Sequence, residues 1–243
     1  MKVCIDLCSG LGGFSAAFEE ADDWHVLTVD LDPDDRFDPD VKADLLDLRP
    51  SDLLDALGLD RDAIDVLVVL FSPPCTDFSI AASRYEKIVD GVPQTDSARE
   101  SVALVYHGIG LIKAVAPDYW FLENPTGYLR QIIGRPAGRV TYCQYGADYM
   151  KPTDLWGEHP PGFEYRACSF GDDCHEYNTD GEHGGLGNFD LAGRDPAKRA
   201  LVPYELSASI LEAVEGRAEQ SQLPLVTADG GLVEDADRRG GAE

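Results

Sequence analysis

The chain is short of positive charge, of long apolar runs and of cysteine. Only 20 Lys and Arg stand against 45 Asp and Glu in 243 residues, a formal net charge of −25. That balance lacks the basic footprint by which nucleic-acid binders are usually recognised, and taken alone it argues against such a partner. No stretch of about 18 apolar residues occurs, so nothing is expected to span a bilayer. The opening MKVCIDLCSGLGG puts Asp6 and glycines where a secretory leader needs an unbroken apolar segment, and a cytoplasmic location is expected. The six cysteines, at positions 4, 8, 75, 143, 168 and 174, are too scattered for a disulfide framework. No internal repeat is visible. Apolar residues still make up 44%, enough for a sizeable core, which excludes a wholly disordered chain.

Up to about residue 125 the pattern alternates strand and helix. Lys2–Leu7 reads as a strand, and Phe14, Ala17, Phe18 and Ala21 follow at helical spacing. Trp24–Val29 reads as a second strand, and Ser51 as the cap of a short helix bearing Leu53, Leu54 and Leu57. The unbroken apolar run Asp65–Phe71 suits a strand covered on both faces. Ser97-Ala-Arg-Glu100 has the form of a capping box, opening a helix with Val102, Val105, Ile109 and Ile112 on one side. Tyr119–Leu122 is another buried strand, and Arg139–Tyr145 a further candidate. Residues 152–197 are rich in Gly, Pro, Asp and His and read as an irregular insertion. Tyr204–Arg217 reads as a helix, and residues 218–243 as a mobile tail. The expected fold is α/β, a doubly wound and mostly parallel sheet with ligands at the carboxyl ends of its strands.

Three segments at those strand ends carry chemistry. In Asp6-Leu-Cys-Ser-Gly10-Leu11-Gly12-Gly13-Phe14-Ser15, glycines between strand and helix let backbone approach a ligand, although the spacing is not the dinucleotide fingerprint. Asp30 ends the next strand, where a carboxylate accepts from ribose hydroxyls, and Asp44 follows the third, placed to hold an adenine amino group. Phe71-Ser-Pro-Pro74-Cys75-Thr-Asp-Phe78-Ser79 fixes a cysteine where a central strand stops, a suitable place for a nucleophile. Phe121-Leu-Glu123-Asn124-Pro125 ends the next strand with a carboxylate whose burial favours the protonated form.

In their order and spacing, DLCSGLGGFS, the acid after strand two, ADL, SPPCTDFS and FLENP resemble the DNA (cytosine-5) methyltransferases over residues 1–151. The resemblance implies S-adenosylmethionine on the glycine loop, in contact with Leu11, Gly12 and Gly13. Phe14 would pack on the adenine, Asp30 and Leu31 would meet the ribose, Asp44 and Leu45 the adenine, and Pro74 and Leu104 would line the pocket. It implies that Cys75 adds to carbon 6 of cytosine while Glu123, beside Asn124, serves the ring nitrogen. The base must then leave the duplex. Double-stranded DNA is the implied partner, bound by a monomer, with room for a cognate restriction endonuclease.

The chain also departs from the family pattern. Pro-Cys-Thr replaces the usual Pro-Cys-Gln, and Glu-Asn-Pro replaces Glu-Asn-Val. Met150-Lys151-Pro-Thr153 stands where paired arginines are usual. TYCQYG followed by KPTDLW is similar to compact viral and mobile-element members. The insertion at 152–197 would take the place of a target-recognition region. It holds Cys168, Cys174, His175 and His183, with His159 nearby, but C-x5-C-H-x7-H matches no standard zinc pattern and no metal is assigned. Arg130, Arg135, Arg139 and Lys151, with only Asp148 among them, form a local basic patch suited to phosphate.

Two rivals fit less well. Ser-Pro-Pro-x also suggests an amino-group methyltransferase, but Cys75 stands in place of that group's aromatic. From another class, a catalytically silent DNA-binding module with the same fold stays as an alternative, to be separated by assaying the host's DNA for a modified base. The acidic balance then reads as a statement about solvent. Lysine is scarce, at six against 14 Arg, and acid is spread along the whole chain. In molar salt the Debye length falls to about 3 Å and repulsion from phosphate is largely screened, so a halophilic source, an archaeon or its virus, is expected.

Overall fold

Alternate residues of the central strands serve two separate cores. Val3, Ile5 and Leu7 face one side of the sheet and Cys4 the other; Leu67, Val69 and Phe71 face the first side, Val68 and Leu70 the second. This is why Asp65–Phe71 reads as an unbroken apolar run: from Leu67 to Phe71 each residue is buried whichever way it points. The computed structural model describes residues 1–31, 35–80, 86–169, 171–175 and 200–221. In chain order the elements are β1 (Lys2–Leu7), α1 (Ala16–Glu19), β2 (Trp24–Asp30), β3 (Val41–Lys42), α2 (Pro50–Leu57) and β4 (Val66–Phe71). A small hairpin, β5 (Ile88–Val89) and β6 (Val92–Pro93), precedes α3 (Asp96–Val115) and β7 (Tyr119–Pro125). Then come α4 (Leu129–Ile133), β8 (Gly138–Thr141), β9 (Pro152–Glu158) and α5 (Tyr204–Ser221).

The main sheet runs β3-β2-β1-β4-β7-β9-β8, parallel except for β9. The order reverses between β1 and β4, the crevice where open α/β sheets bind ligands. Residues of α2 and α3 cover the first face, and α1 and α5 the second. Ser207 Oγ accepts from the Ala17 backbone NH at 3.1 Å, which ties α5 to α1. Among the described residues no helix is long and apolar enough to cross a membrane.

Several sequence expectations change. The first helix shrinks to the single turn Ala16–Glu19. Arg49, not Ser51, precedes α2, with Pro50 at the first helical position, where its missing NH costs nothing. Thr95 caps α3, accepting from Ala98 NH at 3.1 Å, because the Ser97 hydroxyl is drawn instead to Asp77. The 139–145 strand stops at Thr141 and tightens into a 3-10 turn, Tyr142–Tyr145. The largest correction is β9. Residues 152–158, read as the start of an irregular insertion, form a strand between β7 and β8. Pro152, Asp154 and Gly157 hid it, yet Gly157 is required there. At φ 141° its missing Cβ would lie 1.9 Å from the Trp120 carbonyl oxygen. Most of the expected tail, and His183, lie outside the described residues.

Two glycines of α3 test this packing. A Cβ at Gly108 would meet the buried Phe71 ring at 2.4 Å, whereas Gly110 has open space. Gly108→Ala should destabilise by about 1–3 kcal/mol despite alanine's higher helix propensity. Gly110→Ala should stabilise by about 0.5–1 kcal/mol. Urea denaturation of both variants reads the two signs.

Candidate active site

β4 and β7 pair only as far as Phe71 and Leu122. Beyond that point β7 continues through Glu123, Asn124 and Pro125 with β9 alone beside it. The side it leaves open is taken by the loop that follows β4. Asn124 Nδ2 donates to the Pro73 carbonyl at 3.0 Å, and Tyr128 NH donates to the Phe78 carbonyl at 2.7 Å. Gly127 lets that crossing happen, because a Cβ there would lie 2.2 Å from the Phe78 oxygen. Within the loop, the Cys75 carbonyl accepts from Phe78 NH and Ser79 NH at 3.0 and 2.9 Å. Cys75 is thereby held half-buried on a turn, beside the end of β7.

Asp77, two residues on, anchors the same loop. It is buried and accepts from Lys87 Nζ at 2.6 Å, Ser101 Oγ at 2.6 Å and Ser97 Oγ at 2.8 Å. Burial opposes its charge, but these hydrogen bonds outweigh that and hold its carboxyl below the usual range.

Glu123 is buried and accepts from Tyr142 Oη at 2.7 Å. Lys151 Nζ lies 3.8 Å from the same carboxylate oxygen and 4.3 Å from the centre of the Tyr142 ring. Burial first, then Glu123, and more weakly Tyr149 and Cys75, push the Tyr142 phenol well above its ordinary value, so it stays a donor. Tyr142 was not singled out in the sequence; only its place after β8 brings it here. Lys151 was assigned to phosphate. At 9% exposure it lies instead inside, against the Glu123 carboxylate and the Tyr142 ring.

The glycine loop and the ends of β2 and β3 form the other half of the edge. Cys8, Gly10 and Gly12 all have positive φ, and Gly10 NH donates to Asp30 Oδ2 at 2.8 Å. Leu11 is half-buried, and Leu31 is 62% exposed at the end of β2. Asp44 caps a 3-10 turn through Leu46 NH, Pro74 is exposed, and Leu104 is half-buried against α3's core. Beside Gly12 and Gly13 the missing side chains are replaced by Phe37 and by Leu201–Val202, so these glycines serve close chain packing. Two expectations fall. Phe14, 2% exposed, packs with Phe18, Trp24 and Val202 and shows no face to an adenine. Leu45 is likewise sunk in the α2–α3 core. Among the described residues, four buried polar atoms at this edge find no hydrogen-bond partner: Asp6 Oδ1, Ser9 Oγ, Ser72 Oγ and Asn124 Oδ1. Groups of this kind are expected where a ligand completes the bonding.

The basic patch divides. Arg130 forms a two-pronged ion pair with Asp154, whose side chain is fully buried and also accepts from Thr126 Oγ1 at 3.0 Å. Arg135 and Arg139 are exposed and make no ion pair among the described residues. Elsewhere, Cys168, Cys174 and His175 converge with Cys143, a residue the sequence reading left out. His159 stands apart, stacked on Phe121 at 3.9 Å, and burial pulls its imidazole down to about 4.

Comparison with known proteins supplies the family. Residues 2–133, more than half of the chain, match the C-5 cytosine-specific DNA methylase family. The chain belongs to it. The type II methyltransferase M.XorII of Xanthomonas oryzae pv. oryzae is 29% identical over 172 residues, 62% of this chain and 38% of that protein. The type II methyltransferase M1.HphI of Haemophilus parahaemolyticus is 29% identical over 145 residues, 56% of this chain and 36% of that protein. The chain thus spans less than two fifths of either relative in alignment. A solved prophage-encoded DNA modification methyltransferase from E. coli superposes with a TM-score of 0.43 at 20% identity, over 65% of this chain and 47% of that one.

The methylase edge makes two predictions. If Arg130 is structural, Arg130→Met strands the buried Asp154 carboxylate. Because the Arg130 side chain is 41% exposed, the expected loss of stability is reduced to about 2 kcal/mol. Urea denaturation measures it. Asp6 is buried, accepts from Ser15 Oγ at 2.8 Å, and is pushed by burial up to about 7. The folded state then keeps a proton that the unfolded chain releases near pH 4. Stability should therefore fall as pH rises from about 4 to about 7, by roughly 2 kcal/mol between pH 5.5 and 8. Asp6→Asn should flatten that part of the profile.

Proposed function

We propose that this methylase transfers a methyl group to carbon 5 of cytosine in double-stranded DNA, with S-adenosylmethionine as donor and Cys75 as nucleophile. The observation that carries the reading is the clamp from Asn124 to Pro73, which sets the Cys75 loop beside Glu123 and Tyr142. Leu11, Asp30, Leu31, Asp44, Pro74 and Leu104 would hold the donor, with Asp6 and Ser9 offering unmet hydrogen-bond capacity at the same edge. When bound there, S-adenosylmethionine supplies a methyl group on a positively charged sulfur.

Carbon 5 of cytosine is a weak nucleophile. Addition of the Cys75 thiolate to carbon 6 makes the ring an enamine whose carbon 5 is nucleophilic. Glu123 meets the ring nitrogen and offsets the charge that develops there, while Tyr142 and Lys151 orient its carboxyl group. Once carbon 5 carries the methyl group, loss of its proton expels Cys75 and restores the aromatic ring. Face-on attack requires the base to be flipped out of the helix. Arg139 stands on the edge strand β8 in register with Asp154, itself opposite Asn124, and is assigned with Arg135 to phosphate. The acid-rich surface suits a protein that binds DNA in molar salt, and a cognate restriction endonuclease is the partner that a type II pairing would add.

The test is expression in a host free of cytosine methylation, followed by mass spectrometry of its digested DNA. 5-Methylcytosine should appear and vanish with Cys75→Ala, while Tyr142→Phe should lower it about 10- to 100-fold. Methylated adenine or N-methylated cytosine would point to the amino-group reading. Soluble chain with no modified base would point to a silent module.

A further inference from the structure

We propose that Cys143, Cys168, Cys174 and His175 form a structural zinc site. One ligand atom from each lies within 4.8 Å of all the others. Cys143 Sγ is 3.2 Å from Cys168 Sγ and 3.6 Å from Cys174 Sγ. His175 Nδ1 is 3.3 Å from Cys174 Sγ and 3.8 Å from Cys168 Sγ. Tetrahedral bonds of about 2.3 Å to sulfur and 2.0 Å to nitrogen would set ligand atoms about 3.5–3.8 Å apart. The observed spacings bracket that value, so an ion needs only small side-chain adjustments. Three sulfurs and one imidazole also form one of zinc's standard structural donor sets, and soft thiolates disfavour calcium or magnesium. Four protein ligands leave no open position, which makes the site structural and not catalytic.

A disulfide would use two of the three sulfurs and leave the third sulfur and the imidazole unexplained. Ordinary core packing does not account for the cluster either. Burial pushes the Cys143 and Cys168 thiols above their usual values, and at Cys143 the neighbouring thiols add to the effect. A divalent cation reverses that preference and makes the crowding of sulfurs favourable.

The turn between the two loop cysteines explains why an unfamiliar spacing works. Ser169 NH donates to Asp172 Oδ2 at 2.7 Å, and Gly171 has a φ of 99°. The loop therefore folds back and returns Cys174 and His175 to Cys168. Cys168 NH donates to Thr141 Oγ1 at 3.2 Å, and Thr141 NH donates to the Arg166 carbonyl at 3.0 Å, so one arm is already fixed to the end of β8. Cys143 supplies the other arm, one residue beyond Tyr142. The ion would bind the start of the insertion to the turn that carries the hydrogen-bond donor to Glu123. Its existence is independent of the reaction assigned to Cys75.

The full chain, purified without added metal or chelator, is predicted to contain one zinc per molecule by elemental mass spectrometry. Cobalt(II) titration of zinc-stripped chain should give thiolate charge-transfer bands and the intense visible bands of a tetrahedral site. Cys168→Ser and His175→Ala should each weaken zinc binding at least about 100-fold, and His175→Cys should retain it. Alkylation mapping of the unmodified chain gives a reading that does not depend on the folding of any variant. Zinc should protect Cys143, Cys168 and Cys174, and a chelator should expose them. A folded chain lacking stoichiometric zinc and the cobalt spectrum would overturn the proposal, as would iron in its place or a disulfide joining any two of these cysteines.

Discussion

The overrun of β7 past the end of β4 is the constraint on which the site depends. A strand in the middle of a sheet normally has both edges satisfied by neighbours. Here Glu123, Asn124 and Pro125 have β9 on one side only, and the other side must be met by something that is not a strand. Asn124 solves this by donating its side-chain amide to the Pro73 carbonyl, and Gly127 lets the two backbones cross at contact distance. The Cys75 loop is therefore a continuation of the sheet's hydrogen bonding by other means. That makes Cys75 a residue on a loop with much of the positional definition of a strand. It also accounts for β9. Without an antiparallel partner through Thr153–Leu155, the end of β7 would have no ladder on either side.

Burial at this edge is consistently polar. Asp6, Asp77, Glu123, Asn124, Lys151 and Asp154 are all buried within a few residues of a carboxyl strand end or its antiparallel neighbour. Asp77 and Asp154 resolve the cost with cations and hydroxyls, and Glu123 with Tyr142 and Lys151. Asp6 and Asn124 leave one oxygen each unsatisfied. Partly satisfied networks destabilise a fold when nothing completes them. They are intelligible where a ligand with complementary donors is to bind, since an edge satisfied in advance would have to break its own bonds first. The fully bonded carboxylates hold loops in place, and the incompletely bonded groups lie at or near the strand ends that flank the switch point.

How much of this was legible in the sequence follows from which signals are local. Strands such as Asp65–Phe71 declared themselves because burial on both faces leaves no polar interruption. The motif segments were legible because their residue types are adjacent along the chain. β9 was not, since its Pro, Asp and Gly each have a reason that exists only across the sheet: Asp154 meets Arg130, and Gly157 passes the Trp120 carbonyl. Phe14 misled for a related cause. An aromatic after a glycine loop reads equally well as an adenine platform or as the first core residue under α5, and its burial decides for the second. Lys151 read as part of a basic patch because neighbours in sequence were counted as neighbours in space. Cys143 escaped the metal count because it lies 25 residues from the nearest loop cysteine, a separation that only the end of β8 closes.

The charge balance acquires a structural meaning once the cations are followed individually. Lys2 meets Asp23 and Glu215, Arg61 meets Asp118, Lys87 meets Asp77, Arg130 meets Asp154 and Lys151 meets Glu123. These five cations are committed to holding the chain together, and several of the pairs are partly or wholly shielded from solvent. Salt screens exposed pairs strongly and buried ones much less. A protein built this way keeps its internal pairs in concentrated salt while the repulsion among its surface carboxylates is screened. On the proposed function, Arg135 and Arg139 would meet phosphate against a weakened acidic background. Contacts that few should also give a shallow dependence of DNA affinity on salt, because the number of counterions released tracks the number of phosphates neutralised. On the proposed function, the excess of acid and the phosphate contacts assigned to Arg135 and Arg139 would be two sides of one adaptation: attraction to DNA kept modest, and repulsion from it left to the solvent to remove.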